Sequence, residues 1–180
     1  NSTTSWSAQI SFLEDVIKFS QHLNNAFLIL RYKYIDWTSN TYFKNILKKI
    51  NDCGNIIISD YYKKPFYSYK LCANADLVVA KHTSIADECL ANEIPVLFHE
   101  YTHNTKNYVS HIPNYLSPKL MCYNFEELQH KSKSILFSNS SKLREEVKKL
   151  NKRIYFVNEK KDIKKKILKN LENLLVENKL

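Results

Sequence analysis

The sequence predicts an α/β fold in which a doubly wound parallel sheet is flanked by helices and folded as a single domain. Short apolar runs of strand length alternate along the chain with amphipathic segments of helical length, the pattern of parallel strands joined by crossover helices. The 180 residues are 44% hydrophobic, which is enough to bury one core, and this length favours one domain over two. No internal repeat or low-complexity linker interrupts the pattern.

The first half of the chain is predicted to contain three helices and two strands. Ser11, with Glu14 three residues later, predicts the capping box of a first helix that ends at His22. Gly54 is the only glycine of the chain and is expected to end the second helix, whereas Pro65 is expected to begin the third. The predicted helices cover residues 11–22, 42–50 and 65–73, and the predicted strands cover 27–30 and 55–59.

The second half continues the alternation with three further strands. Thr83 and Ser84 open a helix between two apolar runs, and Asn124, with Glu127 three residues later, caps the helix after that. The predicted strands cover 76–80, 94–98 and 120–123, and the last two predicted helices cover 141–150 and 162–176. Because consecutive strands are connected through helices, we expect them to run parallel in a Rossmann-like arrangement.

The net charge of +9 belongs to the carboxyl-terminal part of the chain. Residues 1–130 contain twelve basic and twelve acidic residues, whereas residues 131–180 contain fifteen and six. The lysine-rich segment at 160–169 has no aromatic residue, which argues against nucleic-acid binding. Apolar residues recur there at helical spacing and predict a basic helical tail at about 158–180, which either docks on the core or contacts an anionic membrane surface.

Targeting signals and cysteine spacing indicate the cell compartment. No apolar run reaches the roughly 20 residues that a membrane-spanning helix needs, and the amino terminus lacks the features of a signal peptide, so we expect a soluble, cytoplasmic protein. The four cysteines are widely spaced without a C-x-x-C motif, which favours four reduced, packed thiols. A single glycine also excludes the glycine-rich motifs of P-loop, dinucleotide-binding and serine-hydrolase sites.

The polar residues after the third predicted strand give the strongest functional signal. Lys81 and His82 supply cationic or hydrogen-bonding side chains, and Thr83 and Ser84 supply hydroxyls at the start of a helix, which together favour a phosphate. Glu88 lies one turn after Ser84, where a carboxylate can accept hydrogen bonds from two neighbouring ribose hydroxyls. The alternative is that Ser84 is only a helix cap and that Asp87 and Glu88 only favour the helix start.

Residues 88–96 read E-C-L-A-N-E-I-P-V. This segment resembles a pattern close to E-A-L-A-x-G-x-P-V-I in the carboxyl-terminal, donor-binding domain of nucleotide-sugar glycosyltransferases of the GT-B type, in which the Glu binds the ribose of the donor. Glu93 stands where the family commonly has glycine, and Asn92 is expected to supply the left-handed residue at the helix end instead. The resemblance implies that Glu88 binds the ribose of the donor.

Residues 28–34 read L-I-L-R-Y-K-Y, which is similar to the strand end where bacterial surface-polysaccharide transferases carry basic residues. The resemblance implies that Arg31 and Lys33 lie near the donor phosphates. His99, Tyr101 and Thr102 follow the next strand, and ligands of open α/β sheets bind at strand ends, so these residues are expected to line the donor pocket; the alternative is a solvated loop. His82 is the candidate catalytic residue.

The resemblance implies an enzyme that is one half of a GT-B architecture. It would transfer a sugar or related group from an activated nucleotide donor to a glycan or lipid-linked acceptor of capsule, lipopolysaccharide or teichoic-acid synthesis. Cationic side chains would stabilise the leaving phosphate without metal or cofactor, in agreement with the absence of a D-x-D motif. The acceptor domain would not fit in this length, so we expect the chain to be a fragment or one subunit that works with such a partner.

Two other functions compete with this interpretation. Residues 99–103 spell H-E-x-x-H, in which His99 and His103 would bind zinc and Glu100 would act as general base, provided that both histidines share one helix face. The β-type run directly before His99 argues against such a helix. The other alternative is a non-catalytic nucleotide-binding or scaffold domain whose partner chain performs the chemistry.

Overall fold

The computed structural model describes residues 6–23, 25–32, 36–59, 66–80, 83–99, 118–138 and 142–152. Within these residues the chain is α/β, with six α-helices and two small parallel sheets. The helices are α1 Trp6–His22, α2 Lys44–Asp52, α3 Tyr67–Ala73, α4 Ile85–Ala91, α5 Phe125–Phe137 and α6 Lys142–Leu150. The strands are β1 Leu28–Arg31, β2 Ile56–Ser59, β3 Val78–Ala80, β4 Val96–His99 and β5 Met121–Cys122.

Every strand pair among the described residues is parallel, as the sequence predicts. The first sheet joins β1 to β2, with Leu28 opposite Ile56. The second has the order β3-β4-β5, with Ala80 opposite Phe98 and His99 opposite Cys122. All five predicted strands are found, each within one or two residues of its expected ends. The alternation of strands and crossover helices is therefore confirmed.

Strand β4 is the centre of the second sheet and is buried on both faces. Val96 and Phe98 belong to a hydrophobic cluster that also contains residues of α4 and α6. Leu97 points the other way, into a cluster with residues of α1 and α5, and is 0% exposed. Because successive side chains of a strand alternate between faces, this burial places helices on both sides of the sheet.

The first sheet is covered on one face by α1 and α2. Leu30 of β1 packs in a cluster with Leu13 of α1 and Phe43, which directly precedes α2. On the other face, Ile29 and Ile57 lie opposite each other in the parallel register and are 47% and 51% exposed. The two sheets therefore differ in how much of their surface the described helices cover.

Helix α1 begins at Trp6 and not at the predicted cap Ser11. Ser11 is an exposed residue within the helix, so the capping box predicted for Ser11 and Glu14 is wrong. The reason is hydrophobic packing: Ile10 packs, with Ile17 further along the helix, against the same core cluster. An apolar stripe that starts earlier than the polar signal thus sets the start of the helix.

Gly54 and Asn55 form the turn that connects α2 to β2. Gly54 has a φ of 69°, a left-handed conformation that costs glycine little, and this confirms its predicted role at the end of the helix. The Asn55 carboxamide donates hydrogen bonds to the carbonyls of Ser20 at 3.2 Å and Ala26 at 3.1 Å. These bonds attach the end of α1 and the start of β1 to β2.

The predicted start of α3 at Pro65 lies outside the described residues, as does the basic helical tail predicted at 158–180 with its helix at 162–176. Within the described part of the chain, each helix is too short or too polar to cross a lipid bilayer.

Candidate functional site

The carboxyl ends of the parallel strands place two of the predicted site residues, Arg31 and His99, at two sheet edges. In the first sheet, Arg31 ends β1 and is the register partner of Ser59, which ends β2. In the second sheet, β3 ends at Ala80, next to Phe98 and His99 at the end of β4. Ligands of open α/β sheets bind at such edges, so both edges are candidates for a site.

Arg31 is held in place by hydrogen bonds at its guanidinium group. Its Nε donates to the Ser68 hydroxyl at 3.1 Å, and its Nη1 donates to the carbonyl oxygen of Tyr32. The side chain is half-buried at the end of β1. A guanidinium group keeps its positive charge at all ordinary pH values and carries five N–H donors, so donors remain for an anionic ligand.

Glu88 lies on α4 and is exposed to solvent. Its Oε1 accepts a hydrogen bond from the Tyr69 hydroxyl at 3.1 Å. This bond, together with the negative charge of Glu88, raises the pKa of Tyr69, so the tyrosine remains a neutral donor. A carboxylate has two oxygens with several acceptor positions, so Glu88 keeps the capacity to accept further hydrogen bonds.

Helix α3 connects these two predicted site residues. Ser68 accepts a hydrogen bond from Arg31, and the next residue, Tyr69, donates a hydrogen bond to Glu88. Neighbouring Cα atoms are about 3.8 Å apart, so the two contacts are made from adjacent positions of one helical turn. The guanidinium group of Arg31 and the carboxylate of Glu88 are 57 residues apart in the chain. Both contact α3, through neighbouring residues of that helix.

Thr83 and Ser84 lie at the start of α4, and both are exposed. Ser84 occupies the cap position, but its side chain makes no capping hydrogen bond. Backbone carbonyls bind the first N–H groups of the helix instead. The N–H of Ala86 donates to the carbonyl of Thr83 at 3.2 Å, and the N–H of Asp87 donates to the carbonyl of Ser84 at 3.1 Å. Ser84 is therefore the cap residue by position, as that alternative has it, but its hydroxyl does not make the capping bond.

Replacing Ser84 with alanine is expected to change the free energy of unfolding by less than about 0.5 kcal/mol, because no capping bond is lost. Asn124 provides the matched comparison: its side-chain oxygen accepts from the backbone N–H of Glu127 at 2.8 Å, as the sequence predicts. Asn124→Ala should cost about 1 kcal/mol. Urea denaturation followed by circular dichroism measures both values, and a loss in Ser84→Ala as large as that in Asn124→Ala would contradict the structure.

The end of α4 differs in one respect from the prediction. Glu93, and not Asn92, is the left-handed residue, with a φ of 59°. The N–H of Ile94 bonds to the carbonyl of Cys89 at 2.9 Å, and the N–H of Glu93 bonds to that of Leu90 at 3.1 Å, which together form a Schellman motif. The position that carries glycine in the resembled family is thus left-handed here too, although its residue is glutamate.

His99 is the predicted pocket residue whose surroundings the structure describes most fully. It is 1% exposed, and its Nε2 lies 3.3 Å from Oδ2 of Asp15 on α1. The ring of Phe12 meets it edge-on, with centroids 5.0 Å apart. The side chain is therefore enclosed between β4 and α1 and does not line an open pocket.

The zinc signature receives no support from this placement. His99 occupies the strand β4, whereas the signature requires both histidines on one face of a helix. Glu100 and His103 lie outside the described residues, as do the predicted site residues Lys33, Lys81, His82, Tyr101 and Thr102. In the described ranges, no three side chains of His, Cys, Asp or Glu come together as metal ligands.

Three side chains that complete these contacts are not predicted as site residues from the sequence. Ser68 carries no signal beyond its position in the first turn of the helix after β2. Tyr69 lies in a stretch of the sequence that is rich in aromatic residues, but its bond to Glu88 is a long-range contact that the sequence does not show. In the sequence, Asp15 has the pattern of a solvent-facing polar residue of an amphipathic helix, whereas in the structure it is only 5% exposed.

Comparison of the chain with known protein families, with curated proteins and with solved structures found no match. The residues at the two sheet edges and on α3 are therefore the basis for assigning a function.

Proposed function

We propose that the chain is the donor-binding half of a metal-independent GT-B type glycosyltransferase, which transfers a sugar or related group from a nucleotide donor to a surface-polysaccharide acceptor. The joint placement of Arg31 and Glu88 against α3 carries this proposal. An arginine fork matches the geometry of phosphate oxygens, and a carboxylate matches two neighbouring ribose hydroxyls. A nucleoside phosphate presents both groups.

The proposed chemistry needs charge stabilisation at the leaving phosphate. Arg31 supplies a permanent positive charge at the edge of the first sheet, and groups that are fixed before the reaction stabilise developing charge most effectively. Lys33 and Lys81 are proposed to add positive charge, and His82 is the candidate for proton transfer. Thr83 and Ser84 support the proposal because both residues are exposed and carry hydroxyl groups.

A doubly wound sheet is proposed as the complete arrangement of the strands. Leu28 of β1 and Val79 of β3 pack against the same hydrophobic cluster, as does Leu77, which directly precedes β3. This shared cluster supports a neighbouring position of β1 and β3, which would give the order β2-β1-β3-β4-β5. That order has its topological switch point between β1 and β3, where ligands of such sheets bind.

The proposed reaction also requires partners. The acceptor would be a glycan or a lipid-linked glycan, bound by an amino-terminal acceptor domain or a partner subunit. The proposed place of action is the cytoplasm, at the inner face of the membrane. The basic residues at 158–180 support this location, because lysine-rich segments are attracted to anionic lipid headgroups.

Calorimetric titration with UDP, CDP, GDP and CMP tests the proposal on the wild type and on Glu88→Gln and Arg31→Gln. One nucleotide should bind saturably, and each substitution should weaken it by about 10- to 100-fold, the usual cost of a lost hydrogen bond to a charged group. Glu126→Gln on the exposed start of α5 and Lys48→Gln on the exposed face of α2 are the matched controls and should bind like the wild type.

Two results would contradict the proposal. The first is the absence of binding for all four nucleotides in the wild type. The second is saturable binding that Glu88→Gln and Arg31→Gln weaken no more than the control substitutions do. Thermal unfolding of each variant without nucleotide shows whether a lost response comes from the site or from loss of the fold.

A further inference from the structure

The interface between α3 and α4 contains two cysteines, Cys72 and Cys89. Cys89 is 1% exposed and belongs to the hydrophobic cluster around β4. Cys72 is half-buried and packs against that same cluster. One thiol is thus enclosed in the core, while its neighbour keeps access to solvent.

The packing of α3 against α4 places the two cysteines in one interface. The hydroxyl of Tyr69 on α3 donates a hydrogen bond to Glu88 on α4 at 3.1 Å, so these two residues lie side by side in the interface. Cys72 lies three residues after Tyr69, on the same face of α3, and Cys89 directly follows Glu88. Both side chains pack in the same hydrophobic cluster between α3 and α4.

We propose that Cys72 and Cys89 form a redox-active dithiol, in which Cys72 attacks a low-molecular-weight disulfide and Cys89 resolves the product into a disulfide between α3 and α4. The pair is a modification site separate from Arg31 and the first sheet edge. The proposal does not depend on nucleotide binding, so either can fail while the other stands.

Cys72 has the properties of the attacking thiol. The hydrogen bond from Cys89 stabilises its thiolate and lowers the pKa of Cys72 to about 7, against the opposing effects of burial and of the Glu88 carboxylate. The same bond, with burial and the neighbouring Glu88, raises the pKa of Cys89. Thiolate character and solvent access therefore coincide at Cys72.

The two remaining cysteines lack this combination. Cys122 is 0% exposed, and burial raises its pKa to about 12. Cys53 is half-buried, lies at the end of α2, and donates its thiol proton to the carbonyl of Lys49 at 3.2 Å. Because Cys53 is a partly accessible free thiol, it can react with glutathione disulfide as well, and the experiment must remove it.

The reaction is a pair of thiol–disulfide exchanges. The Cys72 thiolate attacks one sulfur of glutathione disulfide, so that a mixed disulfide forms and one glutathione leaves as thiolate. The Cys89 sulfur, after loss of its proton to solvent, attacks the sulfur of Cys72 and displaces the second glutathione. Two protein thiols are oxidised by two electrons, and one glutathione disulfide is reduced to two glutathiones.

Mass spectrometry after exposure to glutathione disulfide at neutral pH tests the proposal, in a Cys53→Ser background with free thiols blocked by N-ethylmaleimide. The Cys53→Ser protein should lose two hydrogens, retain no glutathione and yield a peptide linked through Cys72 and Cys89. Adding Cys89→Ser should leave glutathione attached to Cys72. Adding Cys72→Ser should abolish both products, and dithiothreitol should reverse each of them.

Three results would overturn the proposal. Both thiols could remain free under conditions in which an unfolded control reacts, the mixed disulfide on Cys72 could persist with Cys89 present, or glutathione could attach to Cys89 first. Cys89→Ala is a second resolving-thiol variant that avoids a buried hydroxyl, and it should give the same Cys72 adduct as Cys89→Ser. Circular dichroism confirms that each variant is folded before oxidation.

Discussion

Replacing Leu97 with alanine is expected to lower the free energy of unfolding by about 3 kcal/mol, within the range measured for leucines in well-packed cores. Leu97 is 0% exposed at the centre of the three-stranded sheet and packs between α1 and α5. Its truncation removes apolar contacts and leaves a cavity that the strand, held by hydrogen bonds on both sides, cannot close. Urea denaturation followed by circular dichroism measures the loss.

Ile57→Ala is the matched control for this experiment. Ile57 also lies in a parallel strand, but it is 51% exposed, so its truncation should cost less than about 1 kcal/mol. Equal losses for the two variants would show that Leu97 is not in the core position that the structure gives it. If Leu97→Ala does not fold, Leu97→Val removes one methylene and keeps the comparison measurable.

Asp15→Ala is expected to destabilise the fold by about 2–3 kcal/mol, because it leaves the buried ring of His99 without the oxygen that faces its Nε2. Asp15 and His99 are 5% and 1% exposed, so water does not replace the missing contact readily. Asp15→Asn retains a carbonyl oxygen at the same position and should cost less than Asp15→Ala. Thermal and urea unfolding of both variants provide the measurement.

Lys18→Met is the control, because Lys18 also contacts Asp15. Its amino group lies 3.2 Å from Oδ1 of Asp15, but the lysine side chain is 54% exposed, and exposed ion pairs contribute little. We expect a change of less than about 0.5 kcal/mol in this variant. A loss in Lys18→Met that matches the loss in Asp15→Ala would show that the surface pair, and not the contact with His99, is responsible.

Much of the fold can be predicted from the sequence because its signals are local. The apolar runs predict the five strands, Gly54 predicts the end of α2, and Asn124 with Glu127 predicts the start of α5. Each of these depends on residues that are close together in the chain. The start of α1 is the exception, because packing of Ile10 against the core outweighs the polar signal at Ser11.

The candidate site is less predictable because its contacts are long-range. The strand ends indicate Arg31, and the helix pattern indicates Glu88, but nothing local predicts that Ser68 and Tyr69 connect them. The same holds for His99, whose partner Asp15 lies 84 residues earlier in the chain. Such pairs are defined by the packing of helices on strands and not by a motif.

The contacts of α3 with Arg31 and Glu88 mean that the proposed recognition groups are preorganised. Flexible charged side chains lose up to about 2 kcal/mol of conformational entropy when they are ordered. Here the hydrogen bonds from Arg31 to Ser68 and from Tyr69 to Glu88 restrict both side chains within the fold itself, so folding and not binding carries most of that loss. The proposed site would then be a two-point template, which would favour ligands whose anionic and diol groups have the matching separation over compounds that carry only one of these groups.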